Sequence, residues 1–183
     1  MINLYGLELK KLQKLLENYE QKPYRAVQLY TWIYEKKVTS FDEMSDVSIK
    51  FREILKRDFS LSLPKIHTKQ VSNDGTIKLL LELEDGYKVE TVLMRYNYGN
   101  AVCVSIQVGC NMGCSFCSSG ILGKQRNLLP HEMVGEVLVI NNLLKKKEEE
   151  NMLLISLLWE QVNHLIIMKM LWILLELLTL KKD

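Results

Sequence analysis

Glycine and proline run out early in this sequence. Of its 183 residues 9 are glycine and 3 are proline, and neither type occurs after Gly135. Turns between short strands and helices draw on these residues, so repeated βα units are hard to build from Glu136 to Asp183. Cysteine stops sooner: the four are Cys103, Cys110, Cys114 and Cys117. One-sided charge is also lacking, with a net of +2, so charge alone does not argue for a nucleic-acid partner. The first residues hold no apolar stretch of the secretory kind, so no such signal is expected. Three cysteines within eight residues do not resemble a disulfide framework. Such spacing suits metal ligation in a reducing cytosol, and a cytoplasmic location is expected.

What is present reads as globular, with 48% hydrophobic and 25% charged residues. Residues 1–60 read as a small helical domain. Leu4, Leu7, Leu12, Leu15 and Leu16 recur at helical spacing. A second helix is expected from Pro23 to Tyr34, with Val27, Tyr30 and Ile33 or Tyr34 inward. A third is expected from Ser48 to Phe59, with Ile49, Ile54 and Leu55 inward. Lys10, Lys11, Lys14, Lys22 and Arg25 could meet phosphate, or form a solvated helix surface. The near balance of charge favours the solvated surface.

Residues 61–100 read as β-structure. Asn73-Asp74-Gly75 is a hairpin signal, Thr76–Leu83 a strand, Glu84-Asp85-Gly86 a turn and Tyr87–Arg95 an alternating strand. Tyr98-Gly99-Asn100 turns again, and Ala101–Val108 is one apolar strand. A loop with Gly109, Gly113, Gly120 and Gly123 follows, then a helix from Pro130 to about Lys147. The expected class is therefore α/β. A strand–loop–helix unit in 101–150 carries the cysteines.

That loop reads Gly109-Cys110-Asn111-Met112-Gly113-Cys114-Ser115-Phe116-Cys117, a C-x3-C-x2-C spacing. Three thiolates can hold three irons of a cubane and leave the fourth open to a substrate's amino and carboxylate groups. Phe116 offers an apolar wall. The alternative is zinc, which in a structural site wants four ligands. Cys103 and His131 flank the trio, but no Cys or His lies at ribbon or finger spacing, so the iron–sulfur reading leads.

The C-x3-C-x-aromatic-C loop after an apolar strand resembles the radical S-adenosylmethionine superfamily. Three longer stretches narrow the resemblance: Val89-Glu90-Thr91-Val92, Cys103-Val104-Ser105-Ile106-Gln107-Val108-Gly109-Cys110, and Gly123-Lys124-Gln125-Arg126-Asn127-Leu128. They look like the RlmN-type RNA adenine C2-methyltransferases, with the Cfr-type C8-methyltransferases as near relatives. Arg25-Ala26-Val27-Gln28-Leu29-Tyr30-Thr31-Trp32-Ile33-Tyr34 is similar to that family's accessory RNA-binding domain. The resemblance runs from about residue 4 to about residue 147.

The resemblance implies a [4Fe–4S] cluster on Cys110, Cys114 and Cys117, and S-adenosylmethionine as co-substrate. It implies the opening of a partial (βα)6 barrel as the fold. The substrates implied are 23S rRNA and tRNA, with flavodoxin or ferredoxin as electron donor, in a monomer away from membranes. In that family a deoxyadenosyl radical takes hydrogen from a methyl group held on a downstream cysteine, and the resulting adduct with adenine is resolved by a second cysteine. By position the resolving cysteine is Cys103, which on its residue type alone would read as a small buried hydrophobe. Glu90 matches the proton-abstracting carboxylate, and otherwise would read as an exposed strand glutamate.

The chain departs from the family after about residue 147. The family's methyl-carrying cysteine and its Gly-Glu-Pro motif are absent, and residues 151–183 become Leu- and Ile-rich. Glu160, His164, Lys169 and Glu176 interrupt every window long enough to span a membrane. An amphipathic packing helix is one reading of this tail. An out-of-frame tail is the leading one: shifted by one base, with AT-rich codons, Trp159–Ile166 reads Met-Gly-Thr-Gly-Glu-Pro-Phe-Asp. Lys145-Lys146-Lys147 is a natural slip site for such a shift. On that account the strand before the cysteines lacks a parallel neighbour and the chain is an inactive fragment of a methyltransferase. A non-catalytic RNA-binding or cluster-carrying piece is a rival to that function, and Cfr-like C8 methylation is another; the motif flanks favour C2.

Overall fold

The computed structural model describes residues 1–97, 99–111, 118–121, 123–146 and 153–158. They divide into two units, 1–62 and 63–158.

The first unit is helical, closed by a two-stranded parallel ribbon of β1 (Ile2–Asn3) and β2 (Phe59–Ser60). Between these lie α1 (Leu9–Glu17), α2 (Tyr24–Tyr30), a π-helical turn (Thr31–Glu35), a 3-10 turn (Phe41–Glu43) and α3 (Ile49–Asp58). Ser40 and Glu43 form a reciprocal capping box, and the Ser48 hydroxyl accepts the Phe51 N–H to start α3. The wider π turn brings Trp32, Ile33 and Tyr34 inward together. Two expected core residues point outward instead. Val27 is 47% exposed, because the inward stripe is Ala26, Leu29, Tyr30 and Ile33. Ile49 is 71% exposed, because Phe51 and Leu55, four apart, define the buried face of α3.

The second unit is built on a five-stranded sheet in the order β3 (Lys65–Val71), β4 (Ile77–Glu82), β5 (Lys88–Tyr96), β6 (Gly99–Val104) and β9 (Leu153–Leu158). The first four strands pair antiparallel, and β6 and β9 pair parallel. The Asn73-Asp74-Gly75 turn joins β3 to β4, with Gly75 in the left-handed region (φ +82°). β3 is exposed along its whole length, and its register slips between Ile66 and Thr68.

The single strand expected over 101–108 is two. β6 ends at Val104, the chain turns, and β7 (Gln107–Val108) pairs with β8 (Arg126–Asn127) in a separate antiparallel ribbon. The reason is a tertiary bond: the Ser105 N–H donates to the Glu136 carboxyl, at 3.0 Å, and so leaves the ladder. The short helix α4 (Ser118–Ile121) precedes β8, and α5 (Pro130–Lys146) follows it. The expected turn at Tyr98 falls outside the described residues; Gly99 and Asn100 belong to β6. The expectation that the cysteine-bearing strand lacks a parallel neighbour is overturned, since β9 pairs with β6 from Asn100↔Leu153 to Val104↔Leu158. An apolar extended hexapeptide suffices for that position, and Leu153–Leu158 supplies one.

Helix α5 covers one face of this sheet, where Leu79, Leu81, Leu93, Val102 and Val104 are buried. Its own inward residues include Met133, Val137 and Ile140, and among them Glu136 is fully buried. The Thr91 hydroxyl lies against Glu136 Oε2, and Oε1 meets no partner among the described residues. Burial lifts this carboxyl from 4.5 to about 8, against the bonds from Thr91 and Ser105 and with a contribution from Glu132. Gly135 lets α5 approach the chain at Pro64, since a Cβ there would stand 2.5 Å from Pro64 Cδ.

Two outcomes follow from this packing. The raised carboxyl contributes stability that is complete below about pH 4.5 and lost as pH rises through about 8. Unfolding free energies from urea titrations should therefore fall over that window, by up to about 1.4 kcal/mol per pH unit, and the slope should disappear in Glu136→Gln. Gly135→Ala would gain roughly 1 kcal/mol of helix propensity, but the clash with the rigid Pro64 ring costs about 1–3 kcal/mol. A net loss in thermal stability is expected, and an unchanged or raised Tm would contradict the packing.

Candidate functional site

The candidate residues sit on β5, on β6 and in the loop that follows. Val92 pairs with Cys103 and Leu93 with Val102. Strand side chains alternate between faces, so Leu93, Thr91, Val102 and Val104 share the face under α5. Glu90, Val92 and Cys103 then share the opposite face. The structure thus brings Glu90 and Cys103 together on one face, on neighbouring strands. Cys103 is 6% exposed.

Glu90 is about half exposed, and its Oε1 lies 3.0 Å from Lys78 Nζ on β4. An ion pair this open to water contributes on the order of 0–1 kcal/mol, so it orients the carboxylate more than it stabilises the fold. The backbone carbonyl of Glu90 accepts the Ser105 hydroxyl at 2.9 Å. The end of β6 is thereby tied to the strand that carries Glu90.

Cys110 lies two residues past the end of β7, after Gly109, and is buried. The two ends of its loop are drawn together at Gly109 and Gly123. Gly109 is left-handed (φ +69°), and a Cβ on it would stand 1.9 Å from the Gly123 carbonyl oxygen. No side chain fits there. The Gln125 N–H donates to the Val108 carbonyl at 2.8 Å, and the Lys124 N–H donates to Asn111 Oδ1 at 2.7 Å. The loop is therefore closed at its base, with Cys110 inside the closure. Cys114 and Cys117 lie outside the described residues. Neither Cys103 nor Cys110 is in a disulfide.

Arg126 secures the return of this loop. Its guanidinium makes a bidentate pair with Glu132 at 2.7 Å on each arm, and its Nε donates to Asp85 at 2.7 Å. Glu132 also accepts the Leu129 N–H and so caps the start of α5. Hydrogen bonding to Glu132, and then to Asp85, holds Arg126 above its ordinary pKa range. Reading the sequence singled out Arg126 but neither carboxylate partner, and it missed Glu136. A signal existed: Glu132 and Glu136 are four apart in a helix whose apolar stripe runs beside them.

Residues 2–61 match the family model described as the ribosomal RNA large subunit methyltransferase N-terminal domain. Over 144 residues the chain is 50% identical to the "Probable dual-specificity RNA methyltransferase RlmN" of Bacillus pumilus, covering 79% of this chain and 40% of that protein. Over 142 residues it is 47% identical to the protein of the same name from Staphylococcus carnosus, covering 78% and 39%. The chain thus spans about two fifths of the length of these curated relatives. The fold matches the crystal structure of a radical SAM methyltransferase from Sphaerobacter thermophilus with a TM-score of 0.84 and 33% identity, over 96% of this chain and 52% of that one. The helical first unit thus matches an RlmN-type N-terminal domain, and over most of its length the chain is similar to part of the RlmN RNA methyltransferases and of a radical SAM methyltransferase.

Proposed function

We propose that this chain carries the opening part of a radical S-adenosylmethionine RNA adenine methyltransferase. The observation that supports it most is the register of β5 and β6, which sets Glu90 and Cys103 on one face while β6 leads into the Cys110 loop. In this reading residues 1–60 are the accessory RNA-binding domain, 61–100 a β segment and 101–150 the first strand–loop–helix of a partial (βα)6 barrel. The substrates are 23S rRNA and tRNA, modified at adenine C2, and a flavodoxin or ferredoxin supplies electrons to a cytoplasmic monomer.

Cys110, Cys114 and Cys117 would hold a [4Fe–4S] cluster. What the structure describes fits such a group: a buried thiol at a loop closed where Gly109 meets the Gly123 carbonyl, so that a Cβ on Gly109 would intrude. When bound, the cluster supplies a reducing iron with a position open to S-adenosylmethionine. The chain's own residues do the rest. Glu90, held by Lys78, accepts a proton from the adenine ring carbon. Cys103, shielded from water, offers the thiol that resolves a protein–RNA adduct by forming a disulfide with a second cysteine. That second thiol comes from outside the 183 residues, which hold no cysteine after Cys117.

The missing thiol favours a second reading for the 183-residue polypeptide on its own: a cluster-carrying, RNA-binding piece that does not turn over. Residues 151–183 would be out-of-frame sequence even with Leu153–Leu158 paired beside β6, and resequencing the codons for Lys145–Met152 tests this.

Anaerobic reconstitution should load close to four irons per chain with iron–sulfur absorbance, and Cys110→Ala should abolish it. Stoichiometric zinc without that absorbance would sink the cluster assignment. The 183-residue chain, reconstituted and given S-adenosylmethionine, reductant and RNA, should yield no methylated adenosine. Methylated product, read by mass spectrometry of digested RNA, would reject the second reading.

A further inference from the structure

Glu136 is the buried titratable group that the proposed chemistry leaves unused. A carboxyl placed wholly out of water is costly, and the stripe around it is apolar. Leucine would fill the site at lower cost. What Glu136 does that leucine could not is accept two hydrogen bonds, one from the Thr91 hydroxyl and one from the Ser105 N–H.

Both donors sit at the candidate site. Thr91 is the residue after Glu90. Ser105 is two residues past Cys103 and five before Cys110, and its own hydroxyl is bonded to the Glu90 carbonyl. Ser105 is also where β6 ends and the chain turns toward β7, so its N–H has no place in the ladder. Glu136 supplies the missing acceptor. It does so from α5, which begins after the cysteine loop has returned. One side chain therefore links the strand before the loop, the helix after it and the strand of Glu90.

We propose that Glu136 is a positioning residue that fixes the root of the Cys110 loop and the end of the Cys103 strand against the strand of Glu90. The assignment of roles to Glu90, Cys103 and the loop cysteines is the function proposed above, and this proposal rests on it. Among the described residues the groups facing Glu136 are Thr91 from β5, Ser105 from the β6–β7 turn and Glu132 from its own helix. No cation is among them, so its neutral form is the one that holds the two donors near pH 7. Glutamine, neutral and of equal size, can replace that form.

The test is amide hydrogen exchange on the full chain, read at residues 104–110, with β3–β4 as an internal control for folding. Glu136→Gln should exchange as the parent does. Glu136→Leu should exchange at least tenfold faster at Ser105 and its neighbours, with β3–β4 unchanged. Should the leucine variant fail to fold, Thr91→Val removes one donor without changing size. Ser105 should then exchange several-fold faster. Parent-like exchange at Ser105 in the folded leucine variant, or in Thr91→Val, overturns the proposal. Iron reconstitution gives a second readout: the leucine variant should show an altered electron paramagnetic resonance signal of the reduced cluster, restored in the glutamine variant. If the parent takes up no iron while exchange behaves as expected, the cluster reading fails and the backbone role of Glu136 stands.

Discussion

Val92 faces Cys103 across β5 and β6, and the period of two along a strand does the rest. A slip of one residue would send Cys103 to the face under α5 and bring Val102 and Val104 out of the core. The register is held from the apolar side by Leu93, Val102 and Val104, and at its end by the bonds of Glu136 and Ser105. The same contacts that bury the core therefore decide which side chains stand with Glu90 on the opposite face. Stability and site geometry are one constraint here, and the loop cysteines inherit it because Cys110 leaves from the same chain segment.

Much of this was legible from residue order. Asn73-Asp74-Gly75 announced the β3–β4 hairpin because its glycine takes a conformation other residues avoid. The alternation of Lys88, Val89, Glu90 and Thr91 announced β5, and Pro130 marked the start of α5. These are local signals with local causes.

What stayed hidden has non-local causes. Residues 101–108 are apolar enough to read as one buried strand, and nothing within them marks where pairing stops. The break is set by a carboxyl on a helix 31 residues later. Val27 and Ile49 read as core because they are apolar, yet the helix phase that other residues fix turns them to solvent. The parallel partner of β6 was missed for a different reason: absence of glycine and proline argued against turns, but adding one strand beside an existing one needs only an apolar extended segment. Gly109 and Gly123 were read as loop glycines, while their close approach and the bond of Asn111 to Lys124, which close the loop, show only through contacts.

The lysine-bearing margin at β3 gives the sheet a polarity of growth. Lys65 and Lys69, full exposure and a slipped register make that margin a poor template for another strand. From β3 to β6, order in the sheet repeats order in the chain, and the next place is taken by β9. Each strand after β3 therefore lies beside one that precedes it in the chain, and the sheet extends from β3 on one side only, like a fan laid out from a charged outer rib.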